Sequence, residues 1–488
     1  MRDAETEHLR QAQRQPKADI VWKPVELHSP LPELLALLKP DDEPALLDSA
    51  ATDASYGRYS ILACRPVEVL TLDQGVLTDR AGRVLASGAE EVWAQLTEAL
   101  RPVAAKAPQC PYSPGWIGYV GYEVGRLIER LPGRAATDTN LPDLRLAFYD
   151  AIVLHDAVEN AAKLVELKYR QTPPAGAGAG AELLTGILTA SPPISHPAGL
   201  ASAARTSHPP TSNFTPDQYR QAVARCVEYV AAGDIFQVNL SQRFEFPQAP
   251  PPRTTYRMLR RRNPASYSAY MEFTRQGRPC AVLSSSPELF LRVRDRRVIT
   301  RPIKGTRARV GDPQADAAAR AELLASAKDN AELAMIVDLL RNDLGRVCRY
   351  GSIRVIEPST LETYPTVFHL VATVEGVLRE DIGPAQLLRA TFPGGSITGA
   401  PKIRAMEIID ELEGLARGVY TGCLGIVCAD GNCEWNIAIR TMVYDDGRAL
   451  VQAGGGIVAD SQPDDEYDET LHKARALLEA VAMAGNGS

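Results

Sequence analysis

The sequence of 488 residues lacks the features of several specialised protein classes. Its eight cysteines include no Cys-x-x-Cys pair and are widely spaced, so zinc sites and a disulfide framework are not expected, whereas a reducing compartment is. No apolar run approaches the roughly 20 residues that cross a bilayer, and the polar N-terminus lacks the apolar segment of a signal peptide. The net charge of -7 gives no general attraction to nucleic acid or anionic membranes. These absences predict a cytoplasmic protein with no nucleic-acid and no membrane partner.

Two motifs of familiar chemistry are also missing. The glycine-rich stretch "FPGGSITGAPK" lacks the Gly-Lys-Ser/Thr ending of a Walker A loop. The Gly-x-Cys-x-Gly elbow of a glutaminase is absent as well, because "TGCLGIV" does not match it. The chain is therefore not expected to bind nucleotide through a P-loop or to release ammonia from glutamine by itself.

Composition divides the chain into regions. Residues 173–212 are rich in Pro, Gly, Ala and Ser and predict a linker, with a short helix at "AELLTGILTA". We expect a disordered start at 1–17, an N-terminal domain at 18–172 and a catalytic domain at 213–484. β-rich runs mixed with amphipathic helices, without a regular βαβ repeat, predict an α+β fold.

Two predicted helices carry paired acids. In "SAKDNAELAMIVDLLRNDLGRVC", Asp329 and Glu332 are three residues apart and share one face. In "DSQPDDEYDETLHKARALLEAVAMA", Glu466 and Glu469 repeat that spacing, and Lys473 lies one turn beyond. Each face alone is typical of solvated charges. If the two faces meet across a cleft, the carboxylates suit a hard cation such as Mg²⁺.

Other stretches could hold anions or do chemistry. "RPIKGTRAR" places Lys304 between a predicted strand and a Gly-Thr turn, although most lysines are simply solvated. The turns "FPGGSITGAPK" and "QAGGGIVAD" could offer backbone N–H groups to an anion. Arg440, within a strand-like run, could form paired hydrogen bonds to a carboxylate if it points inward.

From about Phe214 onward the sequence resembles the chorismate-utilising enzymes, which include anthranilate, aminodeoxychorismate, isochorismate and salicylate synthases. The matching motifs are "GDIFQVNLSQRF", "SSSPELF", "PIKGTRAR", "AELAMIVDLLRNDLGRV", "TFPGGSITGAPKIRAMEIIDELE", "NIAIRTM" and "DETLHKARAL". "LLDSA" and "PGWIGYVGYEVGR" extend the resemblance, less sharply, before the linker. It implies an α+β, anthranilate-synthase-like fold in which two antiparallel sheets pack as a sandwich with helices around them.

The resemblance also implies the roles of individual residues. Glu332 and Glu469 would hold Mg²⁺, with Asp329 and Glu466 acting through water. Chorismate would be bound by Ser396, Tyr420, Arg440, Gly455, Lys473 and Gln237.

Three further residues would carry the chemistry. Lys304 would attack the ring, Glu288 would act as acid and base, and His369 would lie beside the departing hydroxyl. An attacking lysine must be neutral, so we expect burial and nearby cations, Arg301 or Arg307, to lower its pKa.

Several positions favour one branch of this family. "PIKGT", with Lys304, resembles the aminodeoxychorismate synthases, whereas anthranilate synthases carry "PIAGT". "NPASYSAYMEF" lacks the "NPSPYM" run of tryptophan feedback, and "LLDSA" replaces "LLES", so strong inhibition by tryptophan is not expected. Gln237 stands where water-using members carry a base lysine, which favours ammonia as the nucleophile.

The expected activity therefore starts p-aminobenzoate and folate synthesis, with ammonia from a separate glutamine amidotransferase subunit or from solution. Three alternatives stay open at this point. They are anthranilate synthase component I, a water-using synthase, and a non-catalytic subunit that binds chorismate.

Overall fold

A computed structural model of the protein describes residues 17–51, 56–107, 109–190, 209–364 and 367–486. The predicted disordered start lies outside these residues except for Lys17. Within them the chain forms two twelve-stranded sheets with helices on their outer faces.

The strands follow one another closely along the chain. In order they are β1 (Ala18–Val25), β2 (Ala45–Asp48), β3 (Tyr59–Ala63), β4 (Glu68–Asp73), β5 (Val76–Thr78), β6 (Val84–Ser87), β7 (Gly115–Val120), β8 (Leu144–Tyr149), β9 (Ala151–Asp156), β10 (Ala161–Tyr169), β11 (Thr211–Ser212), β12 (Gln237–Phe246), β13 (Tyr267–Arg275), β14 (Arg278–Ser286), β15 (Leu289–Arg294), β16 (Arg297–Arg301), β17 (Ile303–Ala308), β18 (Arg354–Thr363), β19 (Val367–Val377), β20 (Gly399–Ala400), β21 (Cys423–Cys428), β22 (Cys433–Asn436), β23 (Thr441–Asp445) and β24 (Arg448–Ile457).

Helices connect and cover these strands. The α-helices are α1 (Leu31–Leu34), α2 (Ala89–Ala99), α3 (Ala179–Ala190), α4 (Pro216–Ala231), α5 (Pro252–Arg262), α6 (Pro313–Ala325), α7 (Ala327–Gly345), α8 (Pro384–Thr391), α9 (Lys402–Leu412) and α10 (Pro463–Asn486). Short 3₁₀ turns cover Leu35–Leu37, Pro40–Asp42, Tyr122–Leu127 and Gly395–Ile397.

Both sheets contain strands from before and after the predicted linker. The first runs β1-β10-β9-β3-β2-β13-β14-β23-β24-β12-β11, with β20 beside β12. The second runs β17-β19-β16-β15-β22-β21-β7-β8-β4-β5-β6, with β18 beside β19. Antiparallel pairing joins Leu46 to Tyr270 in the first sheet and Ile117 to Ile426 in the second. The two segments therefore share their backbone hydrogen-bond ladders, and the assignment of separate domains to 18–172 and 213–484 stays a prediction.

The two antiparallel sheets pack face to face, as expected for the sandwich. Side chains from both inner faces fill the space between them, among them Ile61, Tyr119, Met271, Val282 and Ile426. β7, "GWIGYV", is buried at all six positions, because one face meets the other sheet and the opposite face lies beneath helices.

The helices that carry the paired acids begin and end close to the predicted positions. α7 follows Ser326, whose hydroxyl accepts the Asp329 N–H, and α10 spans Pro463–Asn486. α4 is capped by Thr215, and Gln218 returns a side-chain bond to the Thr215 N–H. The short helix expected inside 173–212 is confirmed as α3, and residues 191–208 lie outside the described part of the chain.

The cysteines and the helices can each be compared with what the sequence predicts. All eight cysteines are buried and unpaired. Among the residues described, no helix is both long enough and apolar enough to cross a membrane.

The seam between the two segments predicts a stability effect. A Cβ on Gly115 of β7 would overlap the Val427 carbonyl oxygen and lie 2.9 Å from the Cys428 Cα, both in β21. Gly115→Ala should destabilise the fold by about 1–3 kcal/mol, because backbone atoms cannot move aside cheaply. Urea unfolding followed by circular dichroism measures it.

The matched control is Gly186→Ala, within α3, where a Cβ would meet nothing within 4 Å. It should be neutral or stabilising by about 0.5–1 kcal/mol, since alanine favours helix. Equal unfolding midpoints for Gly115→Ala and the unchanged protein would contradict this account of the seam.

Candidate active site

The residues predicted to do chemistry converge where ends of the two sheets come together. β17, at one end of the second sheet, carries Lys304. β12 and β24, near one end of the first sheet, carry Gln237 and the glycines 454–456. Helices α7 and α10 bring their acids to the same place.

Lys304 is held inside this cleft. Its side chain is 13% exposed, and its Nζ lies 3.9 Å from Glu332 Oε2 on α7. The lysine is therefore buried rather than solvated, and its nearest ion-pair partner is one of the acids predicted to bind metal.

Gly305 explains how β17 and α7 approach so closely. Its φ is +74°, in the left-handed region that favours glycine, and the pairing of β17 with β19 slips between Lys304 and Thr306. A Cβ there would lie 2.8 Å from Leu323 Cδ1 and 3.0 Å from Asp329 Cγ. The absence of a side chain at this position lets the start of α7, with Asp329, pack directly against the strand.

The cation that most affects Lys304 differs from those expected. Burial lowers the pKa of the Lys304 amine, Glu332 opposes that change, and the positive charge of Lys473 lowers the pKa further. Arg301 is instead paired with Glu362 at 2.5 Å, and Arg307 with Glu322 at 2.8 Å and with Asp329 at 3.2 Å. Sequence order made the two arginines seem neighbours of the amine, but their side chains reach other acids.

Glu288 lies between β14 and β15 and is 4% exposed. Burial raises the pKa of its carboxyl to about 7, while a hydrogen bond of 2.6 Å from Ser396 Oγ and the charge of Lys304 act in the opposite direction. Ser396 stands in the 3₁₀ turn Gly395–Ile397, so the glycine-rich turn holds a hydroxyl against this acid. A carboxyl with such a pKa can both give and accept a proton near neutral pH.

His369, Arg440 and Tyr420 line another part of the site. Burial, then the positive charge of Arg440, lower the pKa of His369 to about 4, so the imidazole is neutral at physiological pH. Its Nδ1 lies 2.9 Å from Thr306 Oγ1. Arg440, at φ +51°, donates to the Lys473 carbonyl oxygen at 2.5 Å, and burial raises the pKa of the nearby Tyr420 phenol.

Glycines 454–456 let several side chains meet the backbone of β24. A Cβ on Gly455 would lie 2.9 Å from Glu466 Oε2, and one on Gly456 would overlap the Gln237 amide and lie 3.4 Å from Lys304 Nζ. Lys473 Nζ donates to the Gly454 carbonyl oxygen at 2.9 Å. Each of these glycines therefore faces a predicted site residue at close range.

The acids of α10 occupy different environments. Glu469 pairs with Lys473 at 2.5 Å, and the charge of Lys473 overcomes burial to lower the pKa of that carboxyl. Glu466 is 6% exposed, and its Oε1 accepts a hydrogen bond of 2.6 Å from Ser461 Oγ. Burial raises the pKa of this carboxyl. Its Oε2 is buried and receives no hydrogen bond from the described residues.

The acids of α7 and α10 carry the carboxylate oxygens that a hard cation prefers. In the described ranges, no three His, Cys, Asp or Glu side chains lie close enough to form a metal centre by themselves. The unsatisfied Glu466 Oε2, facing Gly455, is nevertheless the kind of oxygen that a cation or its water would complete. The residues thus fit Mg²⁺, and the assignment stays a prediction.

All thirteen predicted site residues are linked to this cleft, and their roles stay predictions. A buried ion pair that the sequence did not predict lies beneath the cleft, between Glu413 and Arg417 at 2.6 Å. The two side chains are only 2% and 1% exposed, respectively. Glu413 accepts from Ser241 N and Oγ, and Arg417 donates to the carbonyl oxygens of Asn239 and Ile397. Its i, i+4 spacing is also that of ordinary solvated pairs, so no sequence signal marked it.

Comparison with known proteins agrees with this architecture. A family model for chorismate binding enzymes matches residues 45–479. The anthranilate synthase component 1 of Streptomyces coelicolor is 40% identical over 463 residues, covering 93% of this chain and 87% of the relative. The aminodeoxychorismate synthase component 1 of Klebsiella aerogenes is 39% identical over 438 residues, covering 89% of this chain and 92% of the relative.

Solved structures share the fold. Anthranilate synthase component I from Streptococcus pneumoniae superposes with a TM-score of 0.75 at 31% identity, over 88% of this chain and 93% of that one. The menaquinone-specific isochorismate synthase from Escherichia coli superposes with a TM-score of 0.70 over 98% of both chains, and its 18% identity speaks to the fold alone. The protein belongs to the chorismate-binding enzyme family and is a chorismate-utilising enzyme.

The contact between Ser396 and Glu288 predicts a titration change. Ser396→Ala removes a donor that favours the charged carboxylate, so the pKa of Glu288 should rise from about 7. A hydrogen bond to a charged group is worth about 1.5–3 kcal/mol, which corresponds to a rise of about one unit or more. Infrared titration of the protonated carboxyl band, assigned with Glu288→Gln, measures it.

Ser396→Thr keeps the hydroxyl and serves as the control, with a smaller shift expected. If Ser396→Ala titrates at the same pH as the unchanged protein, the hydroxyl does not govern the charge of Glu288.

Proposed function

We propose that the protein is the large subunit, component I, of an aminodeoxychorismate synthase. It would replace the C4 hydroxyl of chorismate with an amino group to give 4-amino-4-deoxychorismate. The observation that supports this most strongly is the burial of Lys304 within a cleft of acids, beside Glu288. Relatives named as anthranilate synthase and as aminodeoxychorismate synthase are equally similar overall, so the choice depends on this residue.

The first step would join Lys304 to the substrate. Its neutral amine forms a bond to ring carbon C2 while the C4–O bond breaks, and the hydroxyl leaves as water with a proton. Burial lowers the pKa of the amine and raises that of Glu288 to about 7, and both changes favour transfer of a proton from the amine to the carboxylate. The neutral His369 would donate a hydrogen bond to the departing oxygen.

The second step would bring in ammonia. Its nitrogen bonds to C4, the C2–Nζ bond breaks, and Lys304 leaves with a proton regained from the incoming nitrogen. Gln237 is 1% exposed, its side chain adjoins Gly456 beside Lys304, and its Oε1 receives no hydrogen bond from the described residues. That oxygen can accept an N–H of ammonia, whereas it cannot act as the base that a water nucleophile needs.

Other residues would hold the substrate carboxylates. Arg440, with Tyr420, would take the carboxylate of the enolpyruvyl arm, and the Gly455 backbone, with Lys473, the ring carboxylate. Mg²⁺ would be held by Glu332 and Glu469, with Asp329 and Glu466 acting through water. When bound, it would orient the ring carboxylate and withdraw charge from the ring.

A product assay tests this function. Chorismate, ammonium chloride and Mg²⁺ should yield 4-amino-4-deoxychorismate, identified by liquid chromatography and mass spectrometry. A fluorescent anthranilate product would favour anthranilate synthase instead, a candidate supported by relatives such as that of Streptomyces coelicolor. Turnover without ammonium would indicate a water-using enzyme, and binding without turnover a non-catalytic subunit.

Lys304 carries the most specific prediction. With chorismate and Mg²⁺ but no ammonium, mass spectrometry should find chorismate less one water attached to Lys304. Lys304→Met, which keeps the length but not the amine, should lower kcat at least about a hundredfold.

Lys168→Met, on the exposed part of β10, is the control and should leave kcat unchanged. Full activity of Lys304→Met, with no adduct on the unchanged protein, would rule out covalent catalysis by this residue.

The metal assignment makes a separate prediction. Glu466→Gln should weaken Mg²⁺ binding about tenfold or more, because water-mediated partners of a metal typically contribute that much. Calorimetric titration with Mg²⁺ in the presence of chorismate measures binding without relying on turnover. Asp468→Asn, exposed on the same helix, should bind as the unchanged protein does, and equal affinities for all three proteins would remove Glu466 from the site.

A further inference from the structure

The guanidinium of Arg417 has a hydrogen-bond partner for each of its five N–H groups. Its Nε and Nη2 donate to the two carboxylate oxygens of Glu413 at 2.9 and 2.6 Å. The other three N–H groups reach three separate segments, at the carbonyl oxygens of Asn239 (2.7 Å) and Ile397 (3.1 Å) and at Thr421 Oγ1 (3.2 Å). Because an arginine presents its five donors in one rigid plane, the orientation of this side chain determines where all of these acceptors lie.

The three segments are those that carry Gln237, Ser396 and Tyr420. Gln237 lies two residues before the acceptor on β12, and Ser396 and Tyr420 each directly precede an acceptor. A backbone hydrogen bond of 2.8 Å from the Asn239 N–H to the Thr398 carbonyl oxygen also joins β12 to the glycine-rich turn. Arg417 therefore connects three parts of the candidate site that are distant in the sequence.

Glu413 fixes the orientation of Arg417 against β12. Its Oε1 accepts the N–H of Ser241 at 2.8 Å and the Ser241 hydroxyl at 2.7 Å, in addition to the bond from Arg417. A buried ion pair is tolerated when further hydrogen bonds satisfy both partners, and this pair meets that condition. Displacement of either charged group would break several of these hydrogen bonds at once.

Thr421 has a backbone conformation that its own side chain disfavours. Its φ is +60°, in the left-handed region that β-branched residues rarely adopt. Its N–H donates to the Ala438 carbonyl oxygen at 2.9 Å, and its hydroxyl donates to the Tyr420 carbonyl oxygen at 2.6 Å. Such a conformation persists where the surroundings fix it, so the contact from Arg417 helps to hold the chain beside Tyr420.

The position of the turn affects Glu288 through Ser396. Burial raises the pKa of the Glu288 carboxyl, and the hydrogen bond of 2.6 Å from Ser396 Oγ opposes that change. The next residue is Ile397, whose carbonyl oxygen Arg417 holds. A displacement of the turn by about 1 Å would take the hydroxyl out of hydrogen-bonding range of Glu288.

We propose that Arg417, oriented by Glu413, is a positioning residue that fixes the Ser396 turn and Tyr420 against β12. The inference rests on the proposed function for the identity of the substrate that these groups would hold. Arg417 forms no bond to that substrate, and its role is to keep the surrounding groups in place.

Infrared titration of Glu288 tests the proposal. Arg417→Lys keeps the positive charge but has three N–H donors in place of five, so it loses at least two of the five contacts. The Ser396 turn should then shift, and the pKa of Glu288 should rise by about half a pH unit or more, since a donor that favours the carboxylate moves away. With chorismate, ammonium and Mg²⁺, kcat should fall at least about tenfold, because small misplacements of groups in an active site are costly to catalysis.

A double variant identifies the route of this effect. Arg417→Lys added to Ser396→Ala should leave the pKa of Glu288 where Ser396→Ala alone places it, because the hydroxyl is already absent. A further rise in the double variant would mean that Arg417 acts on Glu288 by another route, and it would overturn the proposal.

Glu413→Asp keeps the test decisive if Arg417→Lys fails to fold. It preserves the negative charge but shortens the side chain by one methylene, so it cannot hold Arg417 and Ser241 in the same geometry. The same rise in the pKa of Glu288 and the same loss of kcat are expected. If neither variant folds, the pair serves folding alone and the proposal is overturned.

Arg253→Lys is the matched control. Arg253 also connects a carboxylate, that of Glu272 at 2.7 Å, with a backbone carbonyl oxygen, that of Leu35 at 2.6 Å, but neither contact involves a segment of the candidate site. This variant should lower the thermal unfolding midpoint while leaving kcat and the pKa of Glu288 unchanged. Equal changes in kcat and in that pKa for Arg253→Lys and Arg417→Lys would show that lost stability alone explains them, against the proposal.

Failure of the proposed function would give a different result. If the proposed function is wrong, the unchanged protein forms no 4-amino-4-deoxychorismate, whereas the infrared titrations still report on Arg417. If only the positioning role is wrong, that product forms normally, and Arg417→Lys leaves both kcat and the titration of Glu288 unchanged.

Discussion

Backbone pairing between segments far apart in the chain is the constraint on which the rest of the structure depends. β2 pairs with β13 and β7 with β21, so each sheet is completed only when residues from before and after 173–212 come together. Close backbone contact at Gly115, against Val427, and at Gly422, against Val120, keeps this seam tight. Because the cleft lies where ends of both sheets meet, the register of these ladders also sets the separation of the site residues.

The site concentrates charges that would be unfavourable if buried singly. Lys304, Glu288 and Glu466 are each removed from water, and their pKa values shift towards the neutral form. Glu469 stays charged because Lys473 pairs with it. The same burial therefore favours the neutral form of the Lys304 amine and raises the pKa of Glu288 to about 7, and the charges of the two groups influence one another.

Relatives with two different activities are equally similar to this chain, so single residues of the shared fold have to distinguish those activities. The fold and most of the cleft belong to the whole family, so overall identity cannot choose between transfer to C2 and transfer to C4. The side chains of Lys304 and Gln237 both lie beside Gly456, which has no side chain of its own. The proposed function depends on these two side chains.

The sequence by itself determined the helices that carry the acids, the α+β class and, through its motifs, the family, because these depend on local period and on residues adjacent in the chain. Its order also suggested Arg301 and Arg307 as neighbours of Lys304. Only the tertiary structure decided that Lys473, from the last helix, is the nearby cation, and that Glu413 and Arg417 form a buried pair rather than a solvated one. Burial and long-range proximity arise from sheet pairing across hundreds of residues, which no local pattern encodes.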